Sequence, residues 1–186
     1  MYERLFHPIK VGPLTIPNRI VRSAHSTALP LKRLIAYHEA RAVGGVGMST
    51  LEATSVHLSS PAMRSIIPLH DDAVIPFYKE LSDALRPHGM KILQQIYHPG
   101  SARAPGKGTF QISASAIPNP IAGGIPTAMT IPMIEEMIEA FASAARRCRD
   151  GGLDGIDIHA SSGYLIEQFL SPANNIRTDR YGGSLE

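Results

Sequence analysis

Short apolar runs alternate along this chain with segments whose apolar positions recur every three or four residues. Residues 19–26 (RIVRSAHS), 46–53 (VGMSTLEA), 91–96 (KILQQI) and Gly155–Ile158 (GIDI) are the short runs, each closed off by turn formers, and they read as strands. Between them, Leu31–Val43 is rich in good helix formers and is stopped by Gly44-Gly45. Residues 72–87 follow with Asp71 or Asp72 as a cap, Pro76 in an early turn, Leu81 and Leu85 on one face and His88-Gly89 as a stop. Residues 130–150 give the clearest helical pattern. Ile134, Ile138, Phe141, Ala145 and Cys148 form one expected apolar stripe, Thr130 caps its start, and Gly151-Gly152 ends it behind Arg146, Arg147 and Arg149. Two short apolar segments flank Gly12-Pro13 near the start, which predicts a hairpin over residues 1–18 closed by Pro17-Asn18.

The order strand, helix, strand, helix, strand, helix, strand predicts parallel strands joined by right-handed crossovers. Four strands and three helices are half of an eight-stranded α/β barrel. The expected fold is therefore α/β, a partial (half) TIM barrel with an N-terminal hairpin, in one incomplete barrel domain over residues 1–186. Residues 104–130 are rich in Gly, Pro and Ser and carry no strong period. A stretch of that length in a compact domain reads as a rim or lid over a pocket mouth, or as a disordered insertion.

Composition narrows the class without naming a function. The chain has 186 residues, 44% of them apolar and 18% charged, with a net charge of +2, a balance that suits a globular protein. Nothing in it argues for a nucleic-acid or membrane partner. The single cysteine, Cys148, excludes an internal disulfide and a four-thiolate cluster; it lies on the predicted stripe and reads as a packing residue. No leader pattern or membrane span is evident, so a reducing, cytoplasmic setting is expected, and no metal site is.

The chemistry concentrates just past the fourth strand. In a strand-then-helix architecture, residues following a strand's C-terminal end face the site mouth. His159 ends the strand, and the turn Ser161-Ser162-Gly163 leads to Tyr164. An imidazole and a hydroxyl can hold a carbonyl oxygen, and a phenol can give up a proton. The same residues also fit a strand cap and a loop-packing ring, and spacing alone leaves both readings open. In the third strand, Gln94 and Gln95 point to opposite faces, so one of them must find partners on the inner face. Arg22 either faces outward or needs a partner in the first strand.

Residues 159–186 read HxxxGYLxxQFLSPxxNxRTDxYGGSLE. Together with LFHPIKVGPLTIPNRI at residues 5–20 and QIYHPG at 95–100, this block resembles the old yellow enzyme family of flavoprotein ene-reductases, with its 2,4-dienoyl-CoA reductase and trimethylamine dehydrogenase types. The resemblance covers nearly the whole chain and the first half of the family's usual length.

It implies an FMN-dependent oxidoreductase that takes hydride from NAD(P)H and reduces the C=C bond of a small enone- or enal-like substrate. It further implies that Ser23, Ala24, His25, Ser26, Ala53 and Gln95 contact the flavin, that His159 and Ser162 bind the substrate carbonyl, and that Tyr164 donates the proton. Several positions depart from the family pattern. Serine stands at 162 where histidine or asparagine is usual, His25 replaces a hydrophobic residue, Ser101 replaces an arginine, and the loop before the first helix is short. The flavin phosphate site and a flavin-facing arginine belong to the half this sequence does not contain. Three explanations stand beside one another: a fragment of a longer chain, a homo-oligomer that closes the barrel, or a half barrel serving as a binding or scaffold module without redox activity. A flavin-free barrel lyase using His159 and Tyr164 as acid and base is a further alternative.

Overall fold

In the computed structural model, which describes residues 2–60, 67–104, 110–120 and 122–184, the chain divides into two compact units. The first comprises Met1–Thr54, Arg64–Gln95 and Ala144–Asp157; the second comprises Ser55–Met63, Ile96–Ser143 and Ile158–Glu186. Among the described residues no helix is long and apolar enough to cross a membrane.

The first unit opens with an antiparallel hairpin, β1 (Ile9–Val11) with β2 (Leu14–Ile16), turning at Gly12-Pro13. Strand β3 is only Val21–Arg22, shorter than residues 19–26. Its extension is replaced by side-chain bonds. Asn18 ties the approach through Gly45 O (2.8 Å) and the Ile20 amide (2.9 Å), and the Arg22 guanidinium donates to Thr50 O (2.6 Å) and lies 3.1 Å from His25 Nε2. Arg22 thus finds its partners on the neighbouring strand and in its own loop.

Helix α1 (Leu31–Val43) begins after Pro30, whose side chain makes no capping hydrogen bond, and packs against α2 (Ile75–Leu85); Leu34 and Ile35 of α1 and Phe77 and Leu81 of α2 are buried. The segment expected as one helix over 72–87 is three pieces. A 3-10 turn, Asp72–Val74, is capped by Asp71 Oδ1 on the Ala73 amide; α2 follows, and a second 3-10 turn, Arg86–His88, ends at left-handed Gly89. Pro76 suits the first turn of α2, and Pro87, which lacks an amide hydrogen, favours a change of winding there.

Strand β4 (Met48–Ser55) pairs parallel with β3, and the sheet order β3-β4-β5-β8 brings in β5 (Lys91–Tyr97) and β8 (Gly155–Ile158). The amides of Lys91 and Asp154 donate to Gly47 O and Ile92 O at the near ends, and those of Val56 and His159 donate to Tyr97 O and Ile96 O at the far ends. Residue numbers rise together on each pair, so all four strands run parallel. The core of this unit is the fully buried set Leu51, Tyr78, Leu85 and Ile92 with Leu34 and Leu81; each large apolar side chain removed from water contributes about 1.5–3 kcal/mol.

Gln94 lies inside this core and is satisfied by protein alone. Tyr78 OH donates to its Oε1 (2.9 Å), and its Nε2 reaches Glu52 O (2.7 Å) and Gln95 O (2.8 Å). Cys148 is 1% exposed, and burial pushes its thiol up to about 12, the behaviour of a packing residue.

In the second unit, the stretch over residues 104–130 is not wholly without order. A two-residue parallel pair, β6 (Ile112–Ser113) with β7 (Thr127–Ala128), forms within it; residues 105–109 and 121 lie outside the described set. Helix α3 is Ile131–Asp150, with the residues through Ser143 in this unit and Ala144–Asp150 in the first, and the Thr130 hydroxyl lies 3.4 Å from the Met133 amide. Its buried face differs from the expected stripe. Ile134, Met137, Ala144 and Cys148 are buried, whereas Ile138 is 54% exposed. The face has rotated because a four-residue step from 134 to 138 advances 400°, past the centre of a stripe that Met137 fills. Helix α4 is the short Leu165–Leu170.

Candidate active site

Strand β8 ends at Ile158, and the next residue, His159, donates its amide to Ile96 O at 3.0 Å. The chain then turns through Ser161, Ser162 and Gly163, with φ of +63° at Ser162 and +73° at Gly163. A non-glycine residue in the left-handed region is uncommon and clusters at functional turns. Tyr164 then sits at the N-terminus of α4, and the Leu165 amide is held by His98 O at 3.0 Å.

This turn brings three rings together. His159 and Tyr164 meet edge to face with centroids 4.8 Å apart, and Tyr97 packs against Tyr164 at 5.0 Å and against His159 at 6.0 Å. Such spacing is characteristic of stabilising aromatic pairs. Tyr97 is fully buried, and that burial raises its phenol well above the ordinary tyrosine range, with Tyr164 adding to the rise and Arg103 opposing it. His159 and Tyr164 are half-buried and keep an open side. Both serines are exposed, and the hydroxyl next to the imidazole is that of Ser161, 3.2 Å from Nδ1.

The turn is clamped from behind by Gln168, 1% exposed. Its Oε1 accepts the Ser101 amide (3.2 Å), and its Nε2 donates to Gly163 O (2.6 Å) and Pro99 O (3.3 Å). Gly100, at φ +58°, passes so close to this amide that a Cβ there would collide with it. His98 fixes the same loop. Its Nδ1 accepts the Gly100 amide (3.1 Å), so its proton is on Nε2, 3.1 Å from Ser59 Oγ. Burial, with His57 nearby, lowers His98 to about 3 and keeps it neutral.

Much of the block after Tyr164 is scaffolding. Arg177 donates to Ala114 O (2.9 Å) and Met129 O (2.6 Å) and forks onto Asp179, which this holds below the usual carboxylate range. Asn175 donates to Phe169 O and Tyr181 O, both at 2.8 Å, and Arg180 pairs with Glu135. An apolar groove of about 490 Å³ in this unit is lined by Met137, Phe141, Ile158 and Phe169 among others; neither His159 nor Tyr164 lines it.

The remaining sequence-predicted residues lie in the first unit. Ser23, Ala24, His25 and Ser26 run as an irregular segment after β3, with Ala24 half-buried and the other three exposed. The segment is pinned at its far side by Glu52, 1% exposed, whose Oε2 accepts the Thr27 amide at 2.7 Å; Ala28 follows at φ +54°. Glu52 Oε1 is buried without a partner among the described residues. Ala53 is half-buried near the end of β4. Gln95 is half-buried, and its Nε2 donates to Asp157 Oδ2 at 2.9 Å.

Sequence reasoning passed over Asp157, Ser161, Gln168 and Glu52. A charged residue inside an otherwise apolar strand was the available sign for Asp157 and Glu52. Little local marks Gln168, whose side-chain partners are all backbone atoms, two of them 67 and 69 positions away.

The residues fit an isoalloxazine ring. Its pyrimidine edge carries an N–H between two carbonyls, and Gln95 offers an acceptor, Oε1, that takes no hydrogen bond among the described residues, beside a remaining N–H.

Three comparisons with known proteins bear on this geometry. The family profile described as NADH:flavin oxidoreductase / NADH oxidase matches residues 4–186. The chain is 39% identical over 196 residues to an NADH oxidase of Thermoanaerobacter brockii, covering all of this chain and 30% of that protein. It is 37% identical over 189 residues to an NADPH dehydrogenase of Listeria innocua, covering 97% of this chain and 55% of that one. Among solved structures, morphinone reductase in complex with tetrahydroNAD superposes with a TM-score of 0.86 at 25% identity, over 97% of this chain and 55% of that one. A 2-naphthoyl-CoA reductase complex gives 0.86 at 32% identity, over 100% and 31%. The chain therefore spans about a third of its longer relatives and just over half of the shorter ones, and its fold is a partial TIM barrel.

Proposed function

The chain belongs to the NADH:flavin oxidoreductase / NADH oxidase family, and from that premise we propose that it carries the carbonyl-binding and proton-donating groups of an FMN-dependent NAD(P)H oxidoreductase that reduces activated C=C bonds of small enones or enals. The observation that carries this reading is the edge-to-face pair of His159 and Tyr164, 4.8 Å between centroids, on a turn locked by buried hydrogen bonds.

His159 binds the substrate carbonyl oxygen. In this arrangement the Ser161 hydroxyl, 3.2 Å from Nδ1, is assigned as the donor to it, and the imidazole carries its proton on Nε2 and presents it to the substrate. That donor draws electron density toward oxygen and leaves the β-carbon electron-poor; one such donor is worth about 2.7–4 kcal/mol of barrier. Tyr164 delivers its phenolic proton to the α-carbon. Tyr97, buried and held neutral, fixes the angle of both rings. Ser162 is the second proposed substrate contact. Ser23, Ala24, His25, Ser26 and Ala53 are the proposed flavin contacts; all but His25 are small side chains that let a flat ring approach the backbone, and Gln95 reads its pyrimidine edge. FMN, when bound, supplies the hydride that NAD(P)H has delivered.

The test is to mix the chain with FMN, remove free cofactor by gel filtration, and record the visible spectrum and an NADPH-dependent loss of 2-cyclohexenone absorbance. A yellow fraction that consumes enone supports the reading. A colourless fraction that consumes no enone contradicts it.

A further inference from the structure

Gln95 and Asp157 face each other on the adjacent strands β5 and β8, with Nε2 to Oδ2 at 2.9 Å. A carboxylate only accepts hydrogen bonds, so the nitrogen of the amide must face it; the opposite rotamer would set two oxygens against each other. The neighbouring Gln94 has both ends of its amide engaged by protein groups. Gln95 has one end committed and the other open: Oε1 takes no hydrogen bond among the described residues, and the side chain is half-buried.

We propose that Asp157 is a positioning residue that sets the hydrogen-bond polarity of Gln95, so that the site accepts a ring edge bearing an N–H, of the imide type, and discriminates against an edge without one. This rests on the flavin reading of Gln95 and deepens it. The carboxylate holds Nε2, Oε1 becomes the group aimed at the ligand, and the ligand must donate to it. The second amide N–H, beside Oε1, meets the carbonyl that flanks the N–H of an imide. An edge with N–H replaced leaves Oε1 desolvated and unpaired, a loss of about ten- to a hundredfold in affinity. Without the carboxylate the amide is free to turn, and either edge finds a partner.

The ligand test compares FMN with FMN methylated at ring nitrogen N3, by quenching of flavin fluorescence, in wild type, Asp157→Asn and Asp157→Glu. Wild type should prefer FMN by at least about tenfold. Asp157→Asn should shrink that preference several-fold, and Asp157→Glu should restore it. The methyl group's bulk is common to all three proteins and cancels in the comparison. An unchanged preference in Asp157→Asn overturns the proposal. A second readout needs no flavin. In unliganded ¹⁵N-labelled protein, the two Gln95 side-chain amide protons should be well separated and slowly exchanging. In Asp157→Asn they should move toward free-glutamine values, and in Asp157→Glu they should stay apart. Identical resonances in wild type and Asp157→Asn overturn the positioning role. Should no variant bind either flavin, the flavin reading falls, and the amide resonances alone decide whether Asp157 orients Gln95.

Discussion

The Ser161 hydroxyl lies 3.2 Å from Nδ1 of His159, on the same turn that carries the imidazole. In the proposed site it donates to Nδ1 and so selects the tautomer protonated at Nε2. Ser161→Ala removes that selection and leaves the ring position intact. A neutral hydrogen bond contributes about 0.5–1.5 kcal/mol, so enone reduction should slow by roughly three- to tenfold. The reduction of flavin by NADPH should be unaffected. Rapid-mixing measurement of the two half-reactions checks this, and equal slowing of both would contradict it.

Gln168 binds three backbone groups from two loops within a site that excludes water. Gln168→Leu keeps the bulk and strands those groups, at a cost of about 3 kcal/mol. The melting temperature should fall by roughly 6–12 °C. The near-ultraviolet circular dichroism of Tyr97 and Tyr164 should weaken at temperatures where the far-ultraviolet signal is intact, since the turn that orients them is the part released.

Arg177 spans Ala114 O and Met129 O while its other nitrogens are held by Asp179. A lysine ammonium lacks the planar fork needed to do both. Arg177→Lys should therefore loosen the β6–β7 pair, raising amide hydrogen exchange at Ile112–Ser113 and Thr127–Ala128 well above exchange in the body of the protein. Unchanged protection there would show that the pair holds itself.

Two buried histidines predict acid sensitivity. Burial first, then Arg22, Arg41 and His25, lower His38 from 6.5 to about 3; burial and His57 do the same to His98. Each folded value lies below the unfolded one, so the native state binds fewer protons. The stability they contribute is complete above about pH 6.5 and is lost as pH falls toward 3, by about 2 kcal/mol per histidine at pH 5. Urea midpoints at pH 7 and pH 5 measure this. His98→Asn, whose side-chain oxygen can still accept the Gly100 amide, should remove about half of the difference attributable to the pair.

The sequence showed the sheet and helices well because their signals are local. Alternating short apolar runs and helical periods place β4, β5, β8, α1 and α3 within a few residues of their observed ends. It showed β3 poorly. Residues 19–26 look like a strand, but Arg22 and Asn18 complete the edge with side-chain bonds, so only two residues form ladder pairs. The α3 stripe was misjudged at Ile138 because apolar residues stand at both the three- and the four-residue step from Ile134, and it is Met137, on the other side of Ile134, that is buried. At the candidate site, the meeting of the His159 and Tyr164 side chains was legible from their place after a strand. Ser161 and Asp157 were not, because each matters only through a partner that folding brings opposite: the imidazole bent back over the turn, and the amide across the sheet. The long motif block was legible as a family mark, yet Arg177, Asn175 and Gln168 earn their place by holding loops.

The central claim concerns a proton. Rate constants for Tyr164→Phe, measured separately for flavin reduction by NADPH and for flavin reoxidation by 2-cyclohexenone, test it most directly. The phenylalanine keeps the ring packing against Tyr97 and His159 and loses only the hydroxyl. Reoxidation by the enone should slow by about a hundredfold or more while flavin reduction stays within a factor of about two. Equal loss in both steps, or no loss in the enone step, would contradict the role assigned to Tyr164.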